Sequence, residues 1–159
     1  MKPVRSLAIL TLLLSALLAG CDSGSVVGAE NLEKGKAFLA QNGTRAGVTT
    51  TASGLQYEVL QAGNGATPKM IDEVVLKFVG IHIDGSEFDR SNDTAEEKER
   101  TYSMKGVLPG WREALLQMGV GARWKLYLPQ HLAYTNRGIP DRVAPLETVI
   151  YEVELVKIQ

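Results

Sequence analysis

Few residues in this sequence have the type and spacing needed to form or break bonds. His82 lies in an alternating strand pattern and His131 in a loop, positions typical of surface histidines rather than of a catalytic triad. Asp89 has no obvious acidic partner, so the paired carboxylates of a hydrolytic site have no support. The sequence contains no Gly-rich phosphate loop, and one cysteine with two histidines argues against a structural zinc site. We therefore expect a site without a metal or a cofactor.

Aromatic and aliphatic residues near the ends of predicted elements are the stronger candidates for a functional site. Each of them alone is explained at least as well by a hydrophobic core, because composition does not distinguish a core from a pocket. The order and spacing of the whole set carry more information than any single member. The set contains Phe78, Phe88, Val107, Leu108, Trp111, Tyr134 and Tyr151.

Antiparallel strands and one short helix are the elements that must position these residues. The helix is predicted over 109–118, because Trp111, Leu115 and Met118 share one face and Pro109 suits a first turn. Strands on which one helix packs define an α+β domain. Alternating or β-branched patterns predict strands over 55–59, 74–83, 102–104, 122–128 and 148–158.

Five segments resemble those of the FKBP-type peptidyl-prolyl cis-trans isomerases in their order and spacing. The resemblance covers roughly residues 50–159, and it implies a twisted antiparallel sheet of five to six strands wrapped around one short helix. An apolar pocket is implied between the sheet and the helix. The segments are 75–80 (VLKFVG), 84–89 (DGSEFD), 106–111 (GVLPGW), 132–134 (LAY) and 149–155 (VIYEVEL).

The same resemblance implies a role for each matching position. Asp89 becomes the polar group beside the twisted amide, and Tyr134 and the backbone of Leu108 offer hydrogen bonds to the bound peptide. Trp111 becomes the pocket floor, and Ile139 falls in the loop over the pocket. The implied walls are Phe78, Phe88, Val107, Leu108 and Tyr151. The implied ligands are proline-containing polypeptides and, as a further ligand class, macrolides; the activity is prolyl isomerisation, which requires no nucleophile, metal or cofactor.

Four positions depart from the pattern of this family. Phe78 stands where many members have Tyr, which removes a hydroxyl beside Asp89. Tyr151 replaces a common Phe and adds a hydroxyl at the pocket. Arg100 falls near a position that is often aromatic, and Thr135 replaces a frequent Gly. These departures bear on catalytic efficiency and on macrolide affinity more than on the fold.

The N-terminus has the anatomy of a secretory signal peptide. Lys2 and Arg5 precede a thirteen-residue apolar stretch at 7–19, which is too short to span a membrane. Residues 18–21 (LAGC) resemble the bacterial lipoprotein box, which implies cleavage after residue 20 and lipidation of Cys21. The alternative is that Cys21 is an incidental small residue of the signal peptide. Several acyl chains would give a stable membrane anchor facing the periplasm of a bacterial cell envelope.

A tether and a short helix are predicted between the signal peptide and the domain. Residues 22–29 are mostly small and predict a flexible tether. Asn31 is predicted to cap a helix over 32–41, and residues 43–53 are predicted to form a linker. Residues 30–39 resemble the segment that precedes the domain in the macrophage-infectivity-potentiator-like branch of the family. Only eight residues separate Cys21 from that segment, so the long dimerisation region of that branch is missing and we expect a monomer.

The domain plan is therefore a signal peptide at 1–20, a lipidated N-terminal region at 21–53 and an isomerase domain at 54–159. A net charge of −1 gives no electrostatic case for nucleic-acid binding.

Three functions remain open at this point. The first is a membrane-tethered prolyl isomerase for exported proteins. The second is a chaperone-like binding module with little turnover, and the third is a structural envelope lipoprotein.

Overall fold

The structure is a computed structural model that describes residues 23–91 and 100–159. The predicted signal peptide and Cys21 lie outside the described residues. The described helices are α1 (Ser23–Asn42) and α2 (Pro109–Leu115), with a short 3-10 helix at Gln130–Leu132. Neither α1 nor α2 combines the length and the apolarity that a membrane crossing requires. The described strands are β1 (Val48–Thr50), β2 (Gln56–Gln61), β3 (Glu73–His82), β4 (Glu87–Arg90), β5 (Arg100–Ser103), β6 (Arg123–Leu128) and β7 (Val149–Ile158).

Within the described residues, the seven strands form one antiparallel sheet in the order β1-β2-β6-β7-β3-β4, and β5 also pairs with β3. The two longest strands, β3 and β7, pair at the centre from Val74 opposite Ile158 to His82 opposite Val149. The predicted α+β class and the antiparallel sheet are confirmed. The predicted count of five to six strands is one too low, because the segment 43–53 contains β1.

The prediction of a linker at 43–53 is wrong at its centre. Val48 to Thr50 pair with Glu58 to Gln56 of β2, and the Thr51 N–H donates to the Leu55 carbonyl at 2.9 Å to close the hairpin. Three consecutive β-branched residues favour an extended strand. The Thr-rich composition that indicated a linker is thus that of an edge strand with exposed side chains.

Helix α2 packs its apolar face on the core side of the sheet. Trp111, Ala114 and Leu115 are buried there, and Met118 is buried in the turn that continues the helix. The Met118 N–H still donates to the Ala114 carbonyl at 3.1 Å, so the predicted helical segment is present although α2 itself ends at Leu115. The shared face predicted from the spacing of these residues is the one that meets the core cluster.

The predictions of a tether at 22–29 and of an Asn31 cap are wrong, because one helix runs from Ser23 to Asn42. Asn31 lies inside α1, and its side-chain amide donates to the Pro145 carbonyl at 3.1 Å. Gly28 packs against Leu146, and Gly35 packs against Thr148. The small residues that indicated a flexible tether instead let α1 approach the loop before β7 closely.

The two buried glycines of α1 give a matched test of this docking. A Cβ at Gly35 would overlap the side chain of buried Thr148, whereas a Cβ at Gly28 would reach Leu146 at 3.4 Å, an ordinary contact. We expect Gly35→Ala to lower the free energy of unfolding by about 1–3 kcal/mol through overpacking. Gly28→Ala is expected to raise it by about 0.5–1 kcal/mol through the helix propensity of alanine. Urea unfolding measures both, and equal effects of the two substitutions would contradict the docking.

Candidate active site: an aromatic pocket on an indole floor

A cavity of about 230 Å³ opens between α2, the sheet and the loop after β6. The structure brings together seven of the residues predicted from the sequence, and it adds Tyr102 and Gly106. Two predicted residues, Phe88 and Ile139, do not line this cavity. The lining residues are Phe78, Asp89, Tyr102, Gly106, Val107, Leu108, Trp111, Tyr134 and Tyr151.

Trp111 forms the centre of an aromatic cluster that surrounds the cavity. Its ring lies 4.8 Å from that of Tyr151 and 5.0 Å from that of Phe78, both in edge-to-face geometry. Tyr102 contacts it from β5 at 5.9 Å, also edge to face. Edge-to-face pairs stabilise aromatic clusters beyond simple area burial. The cluster therefore joins α2 to three strands through one indole ring that is only 5% exposed.

Arg112 positions the segment that leads into α2, a role that the sequence analysis missed. Its guanidinium donates to the carbonyls of Met104, Lys105 and Val107 at 3.2, 3.0 and 3.3 Å. These contacts hold the chain that carries Val107 and Leu108 into the pocket wall. Leu108 precedes α2 in an extended conformation, and its N–H has no acceptor among the described residues. That N–H is therefore a donor available to a bound peptide.

Phe88 is absent from the lining of this cavity and packs against one of its wall residues. Its ring packs edge to face on Tyr151 at 5.5 Å, and the His82 ring lies 4.9 Å from it in a tilted arrangement. Gly80 on β3 makes this packing possible, because a Cβ there would lie 2.8 Å from both the Phe88 and the Tyr151 rings. Phe88 and Trp111 thus pack against the same Tyr151 side chain. Ile139 lies in the loop before β7, where its N–H donates to the Val143 carbonyl at 2.7 Å, and it lines a neighbouring cavity.

Asp89 reaches the cavity from β4 and has a basic partner that sequence analysis did not find. Its carboxylate lies 3.5 Å from the Arg142 guanidinium and also accepts the N–H of Arg90 at 2.9 Å. The Asp89 side chain is 16% exposed, while that of Arg142 is 52% exposed. The pair fixes one carboxylate at the rim of the pocket and ties β4 to the loop before β7. Arg142 lies 53 positions from Asp89 in the sequence, where no local pattern could indicate the contact.

Tyr134 enters the pocket from the loop after β6, and its hydroxyl lies 2.5 Å from that of Tyr151. The next residue, Thr135, has a φ of 54°, a left-handed conformation that is uncommon for a β-branched side chain. The departure from glycine at this position therefore carries backbone strain. Two backbone hydrogen bonds hold it, from Thr135 N–H to Gln130 and from Leu146 N–H to Thr135.

Arg100 and Tyr102 bring β5 into the site. The Arg100 guanidinium lies 5.7 Å from the centre of the Phe78 ring, within the range of a cation–π contact. Tyr102 lines the cavity and contacts both Phe78 and Trp111. The sequence signal for Tyr102 was an aromatic residue on a short predicted strand. Among the residues that the structure describes, no group of three or more His, Cys, Asp or Glu is placed to hold a metal ion.

The three tyrosines of the pocket keep their hydroxyl protons to high pH. Burial is the main cause that raises the pKa of Tyr102, of Tyr134 and of Tyr151 above the ordinary phenol value. For Tyr151 the neighbouring Tyr134 raises the pKa further. The nearby carboxylate of Asp89 acts in the same direction on all three. The pocket therefore presents neutral hydroxyl donors beside one carboxylate.

The fold and the pocket define an α+β sheet-and-helix domain with an aromatic binding site floored by an indole. A family model described as FKBP-type peptidyl-prolyl cis-trans isomerase matches residues 64–156, and one described as the domain amino-terminal to it matches residues 23–59. The chain belongs to the FKBP-type peptidyl-prolyl cis-trans isomerase family. The second match coincides with α1, β1 and β2, the region where the predictions of a tether and a linker failed.

Three comparisons illustrate the similarity. The chain is 43% identical over 129 residues to the peptidyl-prolyl cis-trans isomerase Mip of Coxiella burnetii, covering 81% of this chain and 55% of the relative. It is 38% identical over 130 residues to the outer membrane protein MIP of Legionella longbeachae, covering 82% and 55%. The crystal structure of FkpA from Escherichia coli superposes with a TM-score of 0.81 at 36% identity, covering 86% of this chain and 63% of that one. The chain thus spans little more than half the length of these curated relatives.

Burial of the pocket tyrosines predicts a loss of stability at high pH. Their pKa is raised in the folded state, so above about pH 10 the unfolded chain releases protons that the folded chain retains. The free energy of unfolding should therefore hold below pH 10 and fall above it, by up to about 1.4 kcal/mol per pH unit for each phenol. The double variant Tyr134→Phe, Tyr151→Phe is expected to show a shallower fall in urea unfolding. Equal slopes for the two proteins would contradict the prediction.

Proposed function

We propose that this chain is a peptidyl-prolyl cis-trans isomerase that acts on exported proteins. The observation that carries the proposal is the cavity floored by Trp111 and walled by Phe78 and Tyr151, with Asp89 at its rim. A cavity of about 230 Å³ with aromatic walls fits a proline ring and the amide before it. Membership of the family supports the same activity.

The chemistry that such a pocket must perform is rotation about one amide bond. The barrier is roughly 18–20 kcal/mol because amide resonance is lost when the bond twists. No covalent bond forms or breaks, so catalysis consists of binding the twisted amide more tightly than either planar form. Rings around the proline exclude water and favour the less dipolar twisted state. A lowering of about 4 kcal/mol would accelerate the reaction roughly a thousandfold.

Three groups of the site have polar roles toward the bound peptide in this proposal. The carboxylate of Asp89 lies at the rim, where its charge can interact with the amide as the carbonyl rotates out of conjugation. The hydroxyl of Tyr134 and the N–H of Leu108 are donors to the carbonyl oxygens of the peptide on either side of the twisted bond. The Arg142 guanidinium lies 3.5 Å from the carboxylate and holds Asp89 in place at the rim.

The exchange rate of an Xaa-Pro bond tests the activity. Asp89→Ala is expected to lower kcat/KM by roughly tenfold, which corresponds to about 1.4 kcal/mol of transition-state stabilisation. Glu87→Ala is the matched control, because Glu87 is an exposed carboxylate on the same strand that pairs with Arg90 outside the pocket. NMR exchange spectroscopy of a short Ala-Pro peptide measures the rate.

The alternative of a weakly catalytic binding module makes a different prediction in the same experiment. A binding module would suppress the aggregation of an unfolded protein while leaving peptide exchange at its uncatalysed rate. Background exchange in both the wild type and Asp89→Ala would therefore exclude the isomerase proposal. Aggregation suppression without exchange would then support the binding module.

The location that we propose is the bacterial cell envelope, with the domain facing the periplasm and anchored through lipidated Cys21. The support is the basic, apolar and LAGC pattern of residues 2–21, together with the outer-membrane designation of the Legionella longbeachae relative.

We further propose a monomer, because the small-residue face of α1 is occupied by the loop of its own domain at Thr148 and Leu146. Macrolides remain candidate ligands of the same pocket.

Mass spectrometry of the protein purified from bacterial membranes tests the anchor. We expect an N-terminus at Cys21 that carries a diacylglyceryl group on sulfur and an acyl chain on nitrogen. Cys21→Ala is expected to lack both modifications and to separate from the membranes on fractionation. An unmodified Cys21 or a retained Met1 in the wild type would contradict the proposed anchor.

A further inference from the structure

The contact between the hydroxyls of Tyr134 and Tyr151 carries an inference that deepens, and rests on, the proposed prolyl isomerase function. The two oxygens lie 2.5 Å apart, at the meeting point of the loop after β6 and the central strand β7. Each hydroxyl has one proton, so one group donates and the other accepts. The direction of this hydrogen bond decides which proton remains available to a substrate.

Burial indicates that Tyr151 is the donor. Its side chain is only 1% exposed, and its ring is enclosed by Trp111, Phe78 and Phe88. Among the described residues, the Tyr134 oxygen is the hydrogen-bond partner of its hydroxyl. If Tyr134 donated instead, the Tyr151 proton would be buried without an acceptor, which is costly. Tyr134 is less buried and lines the cavity, where a peptide carbonyl can accept its proton.

We propose that Tyr151 is a positioning residue for Tyr134. Its hydroxyl donates to the Tyr134 oxygen, fixes the orientation of the Tyr134 hydroxyl and directs that proton at a carbonyl oxygen of the bound peptide. Two hydroxyls in series also polarise each other, which makes Tyr134 a stronger donor.

The surroundings explain why Tyr134 needs such a fixed partner. Tyr134 lies on a loop, next to Thr135 with its left-handed backbone, whereas Tyr151 lies within the ladder of the longest strand pair, opposite Gly80. A hydrogen bond from a residue on a paired strand to a loop side chain restricts the motion of that side chain. Phe78 on the facing wall has no hydroxyl and cannot supply this contact.

Removal of single hydroxyls tests the proposal, because Tyr→Phe leaves each ring in place. The proteins are the full chain as wild type, Tyr151→Phe, Tyr134→Phe and the double variant. The matched control is Tyr127→Phe, which removes a buried tyrosine hydroxyl bonded to Glu58 and Arg45 outside the pocket. The probe is a short peptide with one Ala-Pro bond, whose binding and exchange are both followed by NMR.

We expect Tyr151→Phe to lower kcat/KM by roughly three- to tenfold, the effect of one hydrogen bond. In the Tyr134→Phe background the same substitution is expected to cause no further loss, because the hydroxyl that it positions is gone. The Tyr134 ring carbon bonded to oxygen should shift in Tyr151→Phe and not in Tyr127→Phe. A purely structural role of Tyr151 would instead lower activity equally in both backgrounds.

Two results would overturn the proposal while leaving the isomerase function intact. One is wild-type kcat/KM in Tyr151→Phe, and the other is an equal loss in the presence and absence of the Tyr134 hydroxyl. If the wild type binds the peptide without accelerating exchange, the isomerase function fails. The positioning role is then supported by a roughly three- to tenfold loss of peptide affinity in Tyr151→Phe and contradicted by unchanged affinity. If the peptide neither binds nor isomerises, both proposals fail.

Discussion

The packing of one indole against rings from three strands is the interaction on which the site depends. Trp111 can meet Phe78, Tyr102 and Tyr151 together because β3 pairs with both β5 and β7, which brings the three rings to one place on the sheet. Its ring nitrogen is buried without a hydrogen-bond partner among the described residues. A buried unpaired N–H costs about 1–3 kcal/mol, so the aromatic contacts must exceed that cost. The floor of the pocket is thus held by dispersion and ring geometry rather than by polar contacts.

The second constraint is the anchoring of the loop between β6 and β7, which carries Tyr134. Two contacts tie it to other elements: Arg142 reaches Asp89 on β4, and Asn31 of α1 donates to the Pro145 carbonyl. Within the loop, the Leu146 N–H donates to the Thr135 carbonyl. Helix α1 therefore packs on the same loop that positions a pocket hydroxyl. The sequence analysis placed this helical segment outside the domain. In the folded chain, α1 supports one wall of the site.

Local patterns were sufficient for much of the fold. The strands at β2, β3, β6 and β7 follow from alternation and β-branched residues, and α2 follows from the spacing of Trp111, Leu115 and Met118. Local patterns failed where tertiary contacts stabilise a segment of weak intrinsic preference. Residues 22–29 are small and glycine-containing, which resembles a tether, yet Gly28 is the residue that fits this part of α1 against Leu146. The second half of α1 was predicted as a helix over 32–41, whereas its first half, whose stability comes from docking, leaves little signal in its own sequence.

What the sequence by itself determined was the set of aromatic residues, their order along the chain and the elements that carry them. Periodicity and residue type record which side of an element is buried, and the resemblance to a family linked the set into one pocket. The tertiary structure alone decided which of these residues line the cavity: Phe88 packs on Tyr151 without lining the cavity, and Tyr102 is part of the wall. It also decided the pairing of Asp89 with Arg142 and of Tyr134 with Tyr151. Such contacts depend on the order of the strands in the sheet and on the path of a long loop, which no local pattern encodes.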